Sequence, residues 1–285
     1  MKGLASASWT LCVNDSDAAE AIISRDIDVV VFDTLTFNEL EFLKVEKKAA
    51  TVSISPFFDR LENVDVVIHR SSILPAAWQK PTFSPKVICG LDYLIGSPAV
   101  SKIPYEHYSN NLALEKFSVG VSMGGVDGPN LALKIVKELG KYSDRIEVWL
   151  AIGEGYSHSV DHLFESASES DLEMLVFKSN ESMWRVFQNV SLLISAGGLT
   201  TYESAVAGIP SLCLVSNPEW EVLFHELEIS GGISVMSTRS FFAEDSGALE
   251  NLLDPHALLE MKKSLDDLNL TNGASRVARA LLELT

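Results

Sequence analysis

Cysteine is scarce in this chain, and what there is does not pair. Cys12, Cys89 and Cys213 are odd in number and far apart among 285 residues, which excludes a disulfide framework and a zinc cluster. The last two lie in apolar runs, as reduced core thiols of a cytoplasmic protein do. Basic charge is also short. Against 39 acidic side chains stand 22 lysines and arginines, and the formal net charge of −17 repels nucleic acid and anionic membrane. A phosphate-bearing ligand must then be held locally, by helix N-termini, backbone N–H groups or a few basic side chains. No apolar run reaches membrane-spanning length, and MKGLASASWTLCV has too short an apolar stretch for a signal peptide. The sequence contains no P-loop, no GxGxxG and no GxSxG, which disfavours a standard ATPase, a dinucleotide oxidoreductase and a serine-elbow hydrolase.

What is present has the composition of a soluble α/β protein, 47% hydrophobic and 21% charged. Short runs rich in valine and isoleucine recur: IDVVVF (27–32), ATVSI (50–54), VDVVI (64–68), KVICG (86–90), FSVGVS (117–122), RIEVWLAIG (145–153), LEMLVF (172–177), SLLIS (191–195), PSLCLV (210–215) and ISVM (233–236). Few of them alternate, as expected of strands covered on both faces. From Phe117 onward they alternate with helical patterns, among them NLALKIVKELGKY, TTYESAVAG, EWEVLFHELEIS and SRVARALLELT. The β-α alternation predicts doubly wound parallel sheets. The polar segment SPAVSKIPYEHYSNN (97–111), with two prolines and no period, is the expected linker. It sets two domains, 1–112 and 113–285, with the last helix packing back on the first. Only about four strands precede the linker, so the N-terminal domain is expected to be incomplete.

Two stretches carry candidate chemistry. In VSMGGVDGPNLALKIVKEL (121–139) a strand closes on Gly124 and Gly125, and a helix starts near Pro129 with Asp127 just before it. Such glycines let backbone N–H groups face an anion, although an ordinary turn uses the same residues. In LLISAGGLTTYESAVAGIPSLCLV (192–215) Gly197 and Gly198 follow a strand, and Thr200 or Thr201 is placed to cap the next helix. Glu203 lies in the early part of that helix, where it either meets a ribose diol or complements the helix dipole. His158 and His162 stand four apart but lack a third clustered ligand, which argues against metal binding. Trp149 and Trp184 fit packing positions, whereas Trp220 follows a strand end where a base or sugar could stack.

Taken together, VSMGGVDGPN (121–130), Met183 before SLLIS, SAGGLTTYESAVAGIP (195–210) and NGASRV (272–277) resemble the nucleotide-sugar hydrolases of pseudaminic acid biosynthesis and related spore-coat polysaccharide proteins. They are more distantly similar to the N-acetylglucosaminyltransferase of peptidoglycan synthesis. Weaker echoes are VVVFDT (29–34) and GLDYLIG (90–96). The resemblance implies a GT-B fold, two Rossmann-type domains facing a cleft, with UDP held mostly by the C-terminal one. It implies that Gly124 and Gly125 face the diphosphate or sugar, that Gly198, Leu199 and Thr200, with Gly197 before them, supply helix-start contacts to phosphate, that Glu203 holds the ribose hydroxyls, and that uracil lies nearer the strand RIEVWLAIG and the Met183 loop. The family's Gly-rich loop with its water-activating histidine has no counterpart here. Ser55 and Pro56 replace its aspartate pair, and Glu219 and Trp220 replace its Asn-Gln pair.

The function these features imply is hydrolysis of a UDP-sugar, or transfer of its sugar, in surface-polysaccharide or nonulosonic acid biosynthesis. Asp33 and Asp127 are the candidate bases, no cofactor is required, and metal is dispensable because helix dipoles stabilise the departing diphosphate. The alternative is a non-catalytic protein that binds a nucleotide sugar or a partner. A bare N-terminal sheet edge would be covered by a second copy of the chain, making a homodimer.

Overall fold

The computed structural model describes residues 10, 12–25, 27–179, 183–243 and 247–284. They form two compact units. The first takes the chain up to Arg70, Ala76–Tyr93 and the chain from Ser275; the second takes Ser71–Pro75 and Leu94–Ala274.

The first unit is built on four parallel strands in chain order: β1 (Val29–Phe32), β2 (Ala50–Ser53), β3 (Val66–His69) and β4 (Lys86–Cys89). The helix Asp15–Ile23 is capped by Asn14 and the helix Glu39–Val45 by Asn38, each through a side-chain oxygen accepting from first-turn N–H groups. They bury Ala19, Phe42 and Val45 in a core that also holds Phe32, Phe37 and Phe58. Phe32 stacks on Phe58 with ring centroids 5.0 Å apart and meets Phe37 edge-on. Burying each such ring contributes roughly 1.5–3 kcal/mol. Strand β1 lies at the edge of this sheet, with Val31 exposed.

Six parallel strands make the second unit: β5 (Phe117–Ser122), β6 (Ile146–Ile152), β7 (Met174–Lys178), β8 (Leu192–Ala196), β9 (Ser211–Val215) and β10 (Ile233–Ser237). Their spatial order is β10-β9-β8-β5-β6-β7. The chain starts in the middle, builds outward through β6 and β7, then returns to the other side of β5 with β8. The β5 strand is buried along its whole length, and the valines, leucines and isoleucines of β6, β8 and β9 complete the core. This is why these runs do not alternate.

Three sequence expectations are corrected here. The segment expected to be a linker contains a helix, Tyr105–Leu112, whose apolar face consists of Tyr108 and Leu112 four residues apart, too little to show as a period. The Tyr108 hydroxyl donates to the Ser191 carbonyl at 2.7 Å, and buried Lys262 lies over its ring while donating to the Ile103 carbonyl at 2.8 Å. The chain therefore changes unit after Tyr93, earlier than the expected position near 112. The helix after the first glycine pair begins at Leu131, since Asn130 is left-handed at φ 52° and ends the turn that contains Pro129. Finally, EWEVLFHELEIS is not one helix but a 3-10 turn, Pro218–Leu223, and a short helix, His225–Ile229. The Leu223 carbonyl accepts from the Tyr202 hydroxyl, and the ladder is interrupted at that point.

Candidate functional site

In a parallel α/β sheet, ligands bind beyond the carboxyl ends of the strands, where the chain reverses its direction of travel across the sheet. In the second unit that place lies between β5 and β8, which are hydrogen-bonded neighbours with Ser122 opposite Ser195. Each of the two glycine pairs begins two residues beyond one of these serines.

After β5 the backbone turns at Gly124, with φ 81°, a conformation in which a β-carbon would be strained. Asp127 follows at φ 47° and accepts from the N–H groups of Leu131 at 2.7 Å and Ala132 at 2.9 Å, one with each carboxylate oxygen. Burial raises its carboxyl above the ordinary range, and the two capping bonds oppose that rise. The structure thus uses Asp127 as the helix cap. The loop after β6 braces this turn: the Gly155 N–H donates to the Gly125 carbonyl at 2.9 Å, and Gly153 packs directly on the Gly125 backbone. His158 donates from Nε2 to the Asp127 carbonyl at 2.8 Å, and Tyr156 donates to the Asn130 side chain at 3.2 Å. His162 is exposed, and among the described residues no group of three or more His, Cys, Asp and Glu is placed to hold a metal ion.

After β8, Gly197 is a close-approach position, where a β-carbon would lie 3.0 Å from Val215 Cγ1 and 3.1 Å from Phe224 Cε2. Gly198 is exposed and extended, and it leads into the helix Leu199–Ala207. Neither Thr200 nor Thr201 caps this helix. Thr201 faces inward instead, its hydroxyl 2.9 Å from the Ser195 hydroxyl, because its position is fully buried beneath the turn. The helix start therefore carries no side-chain cap, and its leading N–H groups present the positive end of the helix at the switch point.

Glu203 points elsewhere on the same helix. The residue is 6% exposed, and its carboxylate accepts from the Ser97 N–H at 2.6 Å. Gly96 sits against it, with room for a β-carbon only 3.1 Å from Glu203 Cγ. The Asn272 side-chain amide donates to the Gly96 carbonyl and the Gly273 N–H to the Leu94 carbonyl, each at 2.6 Å. Two stretches noted only for the family resemblance, GLDYLIG as a weaker echo and NGASRV as a match, thus meet at Glu203.

The other expected site residues are more scattered. Met183 is buried in the core beside Trp184, with the Ser179 hydroxyl 3.3 Å from its sulfur. Trp220 is half-buried in the turn after β9, and its N–H donates to the Asn217 carbonyl at 3.0 Å. The Glu219 side chain lies outside the described residues. Asp33 is exposed just past β1 and belongs to the first unit. One residue went unnoticed in the sequence: His69, which ends β3. It is 2% exposed, meets Trp78 edge-on at 4.9 Å, and its Nε2 has no hydrogen-bond partner. Burial, with a smaller contribution from the Arg70 charge, lowers its pKa to about 4. A histidine closing an apolar strand was the available signal.

No protein-family model matches the chain. An uncharacterized protein of Methanocaldococcus jannaschii is 24% identical over 216 residues, 72% of this chain. The match spans 44% of that relative, less than half its length. Among solved structures, Acinetobacter baumannii MurG superposes with a TM-score of 0.61 at 14% identity, over 86% of this chain and 76% of its own. The lipopolysaccharide outer core galactosyltransferase WaaB gives 0.53 at 13% identity, over 90% and 77%. A mutant form of S. aureus TarM, in a complex that contains UDP, gives 0.57 at 12% identity, over 95% and 58%. The two parallel-sheet units together with these neighbours define a GT-B-like α/β fold.

Proposed function

We propose that the second unit binds a UDP-sugar and that the protein hydrolyses it, or transfers its sugar, in surface-polysaccharide or nonulosonic acid biosynthesis in the cytoplasm. The observation that carries this reading is the uncapped helix start at Gly198, one of two glycine turns leaving the adjacent strands β5 and β8. The diphosphate lies against the N–H groups of Gly198, Leu199 and Thr200, with Gly124 and Gly125 on its other side. Glu203 takes the ribose hydroxyls. The oxygen of water, or of an acceptor hydroxyl, forms the new bond to the anomeric carbon and gives its proton to solvent. As the bond between that carbon and the phosphate oxygen breaks, UDP leaves with the electron pair, and the helix dipole stabilises its charge without a metal ion. MurG, WaaB and UDP-bound TarM support the reading as proteins of the same fold.

A non-catalytic nucleotide-sugar binder is the second reading. It is favoured by Asp127, which spends both carboxylate oxygens on its helix cap. Titration calorimetry with UDP and UDP-N-acetylglucosamine tests binding, and a chromatographic assay for released UDP separates enzyme from binder. Heat of binding with UDP release supports the enzyme; binding without release supports the second reading. Absence of binding by either ligand overturns both.

A further inference from the structure

We infer that Gly96, Ser97 and Asn272 form a bracket that positions Glu203 for a ribose diol, so that nucleotide selectivity depends on three residues outside the glycine turns. The inference rests on the proposed nucleotide site in the second unit. Its physical basis is a relay of short contacts. The helix Leu199–Ala207 leaves Glu203 as a long side chain with several rotatable bonds, and such a chain loses affinity if it must be ordered by the ligand. Here it is ordered beforehand. One carboxylate oxygen is fixed by the Ser97 N–H at 2.6 Å, and the peptide that supplies this donor is itself fixed by Asn272 through the Gly96 carbonyl at 2.6 Å. Asn272 is in turn held by its own Oδ1, which accepts from the Ala274 N–H at 3.0 Å. Gly96 leaves room for the Glu203 stem, since a β-carbon there would approach Cγ at 3.1 Å and push the carboxylate out of place. Ser97, Gly96 and Asn272 are positioning residues, and Glu203 is the one that meets the ligand.

The relay also accounts for two sequence features that the glycine turns leave unexplained, the glycine of GLDYLIG and the asparagine of NGASRV. The carboxylate in this bracket is a hydrogen-bond acceptor with a fixed bearing, which suits a vicinal diol and not a deoxyribose.

The test compares UDP with 2′,3′-dideoxy-UDP by calorimetry on the full chain, in the wild type and in Gly96→Ala and Asn272→Asp. The second substitution keeps the oxygen that accepts from Ala274 and puts a charged acceptor where the donor to Gly96 was, so it breaks the bracket without the bulk of a β-carbon at Gly96 and serves where the first fails to fold; thermal melts establish folding for both. The wild type is expected to prefer UDP by about tenfold or more, the worth of a hydrogen bond to a charged acceptor. In both variants that ratio falls toward one through weaker UDP binding, while dideoxy-UDP binds as before. Variants that fold and keep the wild-type ratio overturn the bracket and leave the ribose assignment standing. A wild type that binds UDP without preferring it overturns the ribose role of Glu203, and the inference with it. A protein that binds neither nucleotide overturns the nucleotide site itself.

Discussion

Ser122 of β5 lies opposite Ser195 of β8 across the one join in the six-stranded sheet where the chain reverses its direction of travel. Both strands give way to a glycine pair at the same distance beyond these serines, so two turns of high backbone freedom open on the same edge. The uncapped helix that follows Gly198 makes the second turn the electropositive one.

This arrangement sets stability against binding at Gly198. An aspartate there meets no steric barrier, because the residue is extended and a β-carbon would approach only the Ala196 carbonyl at 3.8 Å. Gly198→Asp is expected to cap the helix and leave stability unchanged or higher by a few tenths of a kcal/mol. At the proposed UDP site the same carboxylate is expected to repel the diphosphate and to weaken UDP binding by about tenfold or more. Thermal unfolding and calorimetry on one sample measure the two opposed effects.

Asp127 is expected to behave as a cap. Asp127→Ala removes the acceptor for Leu131 and Ala132 and costs about 1–2 kcal/mol, read from urea midpoints. Any loss of UDP release should follow the fraction of folded protein. A fall of several orders of magnitude in Asp127→Asn, with stability near wild type, would show instead that the carboxylate acts on substrate.

His69 makes the first unit sensitive to acid. Its folded pKa of about 4 lies below the ordinary 6.5 of the unfolded chain, so the native state refuses a proton that the unfolded state accepts. The stabilisation is complete above the unfolded value and is lost as the pH falls through about 4. At about 1.4 kcal/mol per pH unit over the interval from 6.5 to about 4, the loss reaches at most ~3.5 kcal/mol. His69→Gln should flatten the decline in urea midpoint between pH 7 and pH 4.5, and an unchanged slope would assign the acid sensitivity to other groups.

Cys213 should resist alkylation. It is fully buried in β9, and burial pushes its thiol up to about 12, against a small opposing effect of the Thr201 hydroxyl. Iodoacetamide at pH 8 is expected to label Cys12 and Cys89, both partly exposed, well before Cys213. Labelling of Cys213 should appear only in denaturant, as peptide mass spectrometry would show.

Most of the fold could be read from residue type and order. All ten apolar runs became strands within a few residues of their expected ends, because each is a short, mostly unalternating apolar run bounded by turn or helix signals, even where the edge strands β1, β4, β7 and β10 are only partly buried. The glycine turns were legible for a similar local reason: they follow strands directly. What escaped was set by contacts between distant parts of the chain. The helix at Tyr105–Leu112 depends on Tyr108 reaching Ser191, and the break at Leu223 depends on Tyr202. The surroundings of Glu203 come from Ser97 and Asn272, residues 106 and 69 positions away along the chain. No local pattern reports such partners. Thr201 was misplaced for the opposite reason, since a threonine near a helix start has the right chemistry for a cap and only burial shows that it faces inward.

The two units also differ in how the chain enters them. The second is drawn chiefly from one continuous stretch, Leu94–Ala274, whereas the first is assembled from pieces that include the final residues from Ser275. During synthesis the glycine turns, the uncapped helix and most of their supporting strands leave the ribosome together and can fold at once. The first unit is complete only once the segment from Ser275 has joined it. Loss of that segment would therefore spare the half that carries the two glycine turns and fall on the half that was translated first.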